Sequence, residues 1–386
     1  MPSHYHNFRN SVPWLILFLE AVFIVFFYFS DYDEDISNIL YPDFQDVNHM
    51  VIFGFGFFLT FLKRYGFSST GFNLLIIVLG VQCSVLIEEI TKATLSLTAV
   101  VISTGAVLGK TNPVQLSLMT VVEMVAFHMS RWMHNTFLKI SDNASMMHAH
   151  LFGAYFGLAA SSHFSEPLPG SEKNASTPKS DLLSMLGTVF LWVFWPSFNS
   201  VLLRDKSKAI YNTYFALAVS TVTAFMLSAL TTKDGKFKMT HIHSAVLAGG
   251  VAVGYAARSI KYPWIAMILG LLASVITILG SYCLCLNPVL KIHDTSGVHF
   301  TFGLPSMLGA LAQVVLLVIE NWTDIPRLRD LVAIHIWAFF LTMDVALITG
   351  FITGFILNFK LFKTIPVSKY FEDQFYWEFP HLAVGF

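Results

Sequence analysis

An acid at a helix start with an imidazole two turns later can attract a small cation and then offer it a neutral nitrogen, and Asp142 and His150 are spaced in this way. Capping of free backbone N–H groups gives Asp142 a purely structural use as well. Further ionisable side chains lie in equally apolar surroundings: Glu20, Glu123, His128, His148, His241, His243, His299, Glu320 and Asp344. In a bilayer such groups cost about 2.5–3.5 kcal/mol each on insertion scales, so they face a pathway or a partner, or reach water from a helix end. His148 and His150 are two residues apart, about 200° around a helix axis, as are His241 and His243. Neither pair is expected to face one cavity or chelate one metal, because ligands on a helix need a spacing of three or four. Cys83, Cys283 and Cys285 sit in or beside apolar runs, which speaks against a disulfide framework and a zinc site. No nucleophile and base occur at usable spacing, so neither an enzyme nor a cofactor is expected.

The elements that must hold these groups are membrane helices. Of 386 residues, 55% are hydrophobic and 12% charged, with a mean hydropathy of +0.63, whereas soluble domains carry about 25% charged residues. Apolar runs recur at 12–30, 46–62, 69–89, 95–109, 113–132, 144–164, 181–203, 209–230, 240–258, 263–284, 301–320 and 331–358. They predict an all-α integral membrane protein, a polytopic bundle of about 12 transmembrane helices in contact with lipid. The first run exceeds a signal-peptide core and no small-residue cleavage site follows it, so it is expected to be retained. Arg9 before it and Asp31, Asp33, Glu34 and Asp35 after it place the N-terminus in the cytosol, and an even helix count puts the C-terminus there too. The Pro, Gly and Ser-rich loop 166–180 divides a single domain, 1–386, into helix sets 12–164 and 181–358, followed by a cytosolic tail at 359–386. A net charge of -1 leaves no basic footprint for nucleic acid. Small residues at 105–109 and 248–254 are expected to let helix backbones touch. Trp192, Phe194, Trp195 and Phe198 crowd one helix around Pro196, where a single ring across a pore would act as a hydrophobic constriction.

A series of local strings, in order along nearly the whole chain, resembles the Rh branch of the ammonium transporter superfamily. It includes Tyr41-Pro42-Asp43-Phe44-Gln45-Asp46-Val47, Gly54-Phe55-Gly56-Phe57, Gly105-Ala106-Val107-Leu108-Gly109-Lys110, Phe152-Gly153-Ala154-Tyr155-Phe156-Gly157-Leu158, Trp195-Pro196-Ser197-Phe198-Asn199-Ser200 and Leu247-Ala248-Gly249-Gly250-Val251-Ala252-Val253-Gly254. The ending Phe379-Pro380-His381-Leu382-Ala383-Val384-Gly385-Phe386 looks like that of the Rh blood-group D and CE polypeptide type. The resemblance implies the ammonium transporter/Rh fold with a pseudo-two-fold inverted repeat, a plasma-membrane location and one narrow hydrophobic pore per subunit. It also implies a homo- or heterotrimer with other Rh-family subunits and passage of ammonia or ammonium, with carbon dioxide a further candidate.

Carried over position by position, the resemblance makes His150 the first pore histidine, Asp142 the aspartate at the start of its helix and Phe198 the inner ring of the gate. Two positions depart from the family pattern. The second pore histidine, which precedes a Gly-x-Pro, is Phe302 here, before Gly303-Leu304-Pro305, and the outer gate ring is Leu95. His299, three residues before Phe302, is expected on the same helix face one turn away and is a partial substitute. A single imidazole opposite a benzyl ring loses half of the polar lining. Two functions follow as expectations: a channel for ammonia recruited as ammonium near Asp142 and Phe198, or a non-conducting or weakly conducting subunit of an Rh membrane complex.

Overall fold

The computed structural model describes residues 11–29, 41–167, 172–284 and 292–378. The acidic flank at 31–35, Cys285, the side chain of Cys283 and the ending 379–386 lie outside the described residues. A helix stands at each predicted run, and the described residues form no strand. Helix α1 is Val12–Phe29; α2 begins as Tyr41–His49, passes through a π-helical stretch, Met50–Phe55, and ends as Gly56–Phe58. Then come α3 (Gly66–Val85), α4 (Ile90–Val107), α5 (Pro113–Leu138) and α6 (Ala149–Ser161), the last entered through a short turn of helix at Asp142–Met146. The second half holds α7 (Pro178–Ser200), α8 (Ser207–Thr231), α9 (Met239–Gly254) and α10 (Pro263–Leu284). It closes with α11 (Leu304–Glu320), entered through the π-helical His299–Gly303, and α12 (Ile325–Leu357).

Eight of these helices are long and apolar enough to cross a bilayer by length and composition. The short α6 and α9 are instead almost wholly buried inside the bundle. Sequence sets their ends. Asn112 and Gln115 form a reciprocal capping box at the start of α5 with Pro113 in the first turn, and Thr177, Ser180 and Pro178 do the same for α7. Helix α7 runs unbroken through Pro196.

The centre is held by backbone contact. A Cβ placed on Gly157 of α6 would lie 2.6 Å from Ser103 Cα of α4, and one on Gly354 of α12 would lie 2.8 Å from Ala160 Cα of α6. Helix α6 is thus clamped between α4 and α12 at distances only glycine permits. The predicted small-residue stretch 248–254 works the same way, Gly249 lying against the Ala216 backbone of α8.

The segment after α12 folds back over one end of the bundle. Asp373 accepts hydrogen bonds from the Phe67 and Ser68 backbone N–H groups at 3.0 and 2.7 Å, capping α3. Asn112 Nδ2 donates to the Phe362 and Lys363 carbonyls at 2.8 and 2.9 Å, and Trp377 Nε1 donates to Ser68 Oγ at 3.0 Å.

Candidate functional site: a buried imidazole in a row of rings

The first turn of α6 carries His150 into the middle of the bundle, where it is 1% exposed. Its Nε2 is buried without a hydrogen-bond partner among the described residues, and in the neutral tautomer protonated on Nδ1 it presents a lone pair. Three aromatic rings enclose it. Trp195 of α7 stacks on it at 5.5 Å between centroids, Phe198 meets it edge-on at 5.4 Å, and Phe302 lies nearly parallel to it at 6.3 Å. Trp195 Nε1 is also buried without a partner.

The row continues beyond Phe302. Its ring touches Phe55 and Phe58 of α2 at 6.0 and 6.1 Å, and Phe58 stacks flat on His243 of α9 at 3.9 Å. His243 Nε2 lies 3.1 Å from the Phe58 carbonyl. Both π-helical stretches, Met50–Phe55 and His299–Gly303, deliver rings to this row, and the extra residue per turn re-aims side chains inward.

A cavity flanks the row at either end. One, of about 730 Å³, is lined by Asn199, Leu202, Gly254, Tyr255, Gln313 and His335. The other, of about 560 Å³, is lined by Phe61, Ser184, Lys238, His241, His243 and Thr301. Asn199, next to Phe198, lines the first, and Thr301, next to Phe302, lines the second together with His243, so the rings stand between the two spaces.

Several expectations need correction. His299 does not join Phe302: its Nδ1 lies 3.4 Å from the Tyr155 hydroxyl, because π-helical winding takes residues three apart off a common face. His241 and His243 do line one cavity, which opens at the N-terminal end of α9 and reaches around it. Asp142 does not meet Phe198 at a common mouth. Its carboxylate is held by Arg131 at 2.5 Å and Lys92 at 3.3 Å, beside a separate cavity lined by Glu88, His128 and Trp132. Partial burial pushes the Asp142 carboxyl up, but the Arg131 and Lys92 charges outweigh this and hold it below its ordinary value. Arg131 also binds Glu88 at 2.6 Å, so Asp142 closes a buried charge network. Asp142→Asn is expected to lower stability by about 1 kcal/mol, read as a shift in thermal unfolding.

Leu95 is fully buried in the core and lines none of the three cavities described, so an aliphatic side chain is packed at the position of the outer gate ring. Four members of the row, Trp195, Phe55, Phe58 and His243, lie outside the site set expected from the sequence. Trp195 was signalled by standing three residues before Phe198, on one helix face. His243 had no signal beyond its apolar surroundings. Most of the other ionisable groups in the apolar runs have structural partners: Glu20 with Gln82 at 2.9 Å, Glu123 with Ser103, His148 with Thr342 at 2.7 Å and Glu320 with Lys261 at 3.1 Å.

The Ammonium Transporter Family matches residues 12–378. An RH-like protein of Macaca mulatta is 42% identical over 417 residues, and the blood group Rh(CE) polypeptide of Homo sapiens is 42% identical over 419, each alignment covering 100% of both chains. The blood group Rh(D) polypeptide of Rattus norvegicus is 40% identical over 429 residues, again covering 100% of both. The solved structure of Nitrosomonas europaea Rh50, described with the mechanism of conduction by the Rhesus protein family of channels, superposes with a TM-score of 0.73. That match has 29% identity and covers 89% of this chain and 92% of the other. Saccharomyces cerevisiae Mep2 shares the fold at a TM-score of 0.67 and 16% identity, covering 84% of this chain and 86% of that one. With the helical bundle and these relatives agreeing, the chain belongs to the ammonium transporter family, on its Rh blood-group branch, a family of channels and transporters rather than enzymes.

Proposed function

We propose that this chain serves in a plasma-membrane Rh assembly as a subunit whose own pore carries little or no ammonium. The observation that carries this reading is Phe302, whose ring packs beside His150 and closes the row between the two cavities. A dehydrated ammonia crossing here meets one imidazole lone pair and then benzyl faces. Each buried hydrogen bond left unmade costs about 1–3 kcal/mol, a rate penalty of roughly fivefold to 150-fold. In this reading the chain has both termini in the cytosol and assembles into a trimer with conducting Rh-family subunits.

The unpaired Nε2 of His150 and Nε1 of Trp195 favour a second reading, slow passage of neutral ammonia. An acceptor and a donor left open on stacked rings suit one small molecule that does both. The two readings separate in liposomes containing the purified protein, with internal pH followed after an ammonium gradient is imposed. The expected alkalinisation rate equals that of empty liposomes. A rate severalfold higher that His150→Ala abolishes would overturn the non-conducting reading in favour of the second.

A further inference from the structure

Helix α12 carries an acid that nothing among the described residues explains. Asp344 stands thirteen residues after Leu331 and thirteen before Leu357, at the centre of an apolar run. At about 1.5 Å per residue it lies roughly 20 Å along the helix from either end, beyond the reach of so short a side chain to interfacial water. It is exposed on the outer surface of the bundle and makes no hydrogen bond or ion pair among the described residues. Glu20, Glu123 and Glu320 differ in this respect, each having a partner within the chain.

Around Asp344 the outward face of α12 is a continuous stripe at helical spacing: Trp337, Phe340, Ile348, Phe351 and Phe355 are all exposed. The opposite face of the helix is the one committed to the bundle, through Thr342, Gly350 and Gly354. The stripe therefore looks into the bilayer, large and apolar except for one carboxylate at its midpoint. A second copy of this chain is a poor occupant. Two copies meeting through this face would oppose carboxylates, and the cations Lys92 and Arg131 are already paired with Asp142 and Glu88.

We propose that this face of α12 docks a membrane-spanning helix of another polypeptide that presents a lysine or arginine at mid-bilayer depth to Asp344. The cation removes the cost of the lone charge, and the flanking rings and Ile348 supply the packing that lipid cannot. The inference holds whether or not the pore conducts.

The test uses the full-length protein, labelled with a fluorescent donor, in liposomes with acceptor-labelled synthetic helices of leucine and alanine. One helix carries a central lysine, one a central leucine and one a central glutamate. The lysine helix is expected to associate about fivefold to thirtyfold more tightly than the leucine helix, on the scale of polar pairs between designed membrane helices. Asp344→Leu and Asp344→Asn are both expected to abolish that preference while eluting as the wild type does in detergent. No preference for lysine, or one that survives both substitutions, overturns the proposal. A preference for the glutamate helix overturns it as well and points to a carboxyl pair sharing a proton.

Discussion

Phe302→His is expected to speed ammonia passage through the protein about tenfold or more, lifting reconstituted liposomes above the empty-liposome rate that the wild type matches. The argument begins with His150, whose Nε2 is buried without a partner and whose neighbour across the row is a benzyl ring 6.3 Å away. An imidazole in place of that ring supplies a second nitrogen beside the first. Restoring one buried hydrogen bond along the path is worth about 1–3 kcal/mol, and each 1.36 kcal/mol is tenfold in rate. The imidazole is also smaller than the ring it replaces, while Phe55, Phe58 and Phe198 remain in place to exclude bulk water. Chemistry and volume separate through Phe302→Ala, which makes more room but offers no lone pair and is expected to gain much less. Equal gains from histidine and alanine would show that Phe302 acts by bulk alone. Adding His150→Ala to Phe302→His is expected to return permeability close to the wild-type level, since one imidazole is again missing.

The sequence made the twelve apolar runs plain because a spanning helix must be long and nearly free of charge, and each run became a helix. Ends were less legible. Helix α12 begins at Ile325, earlier than its apolar run, because Asp324 caps it and Pro326 suits a first turn, two polar-end signals that hydropathy does not weigh. In the site, His150, Phe198 and Phe302 could be placed from local strings, since each is fixed by neighbours a few residues away. Asp142 could not be assigned its partners that way: Arg131 belongs to α5 and Lys92 to α4, and their meeting is a product of tertiary packing. His299 was misplaced because helical spacing of three assumes an α-helix, and nothing in His299-Phe300-Thr301-Phe302-Gly303 announces π winding. His243 reached the row of rings by stacking on Phe58 across helices, a contact without a local signature.

The position of His150 depends in turn on a glycine one turn along α6, and Gly153→Val is expected to destabilise the protein by about 3 kcal/mol or more. A Cβ at Gly153 would meet the Ala99 carbonyl and lie 2.8 Å from Ala99 Cα, so its neighbour is the backbone of α4 and no side chain can swing aside. Nor can α6 retreat. On its far side Gly350 of α12 already sits where a Cβ would lie 2.9 Å from Phe156 Cα, with Gly354 equally close to Ala160. Strain at Gly153 therefore spreads into three helices at once, and it moves the helix start that aims His150 into the row. Gly56 of α2 provides the contrast: it is buried, yet a Cβ there would meet nothing within 4 Å, and its φ of -56° suits any residue. Gly56→Ala is expected to be neutral or to stabilise by about 0.4–1 kcal/mol through the unfolded chain. Unfolding temperatures of the two variants in detergent check the pair. A wild-type transition in Gly153→Val would mean that α4 and α6 can separate without cost, and the clamp that positions His150 would then have to lie elsewhere.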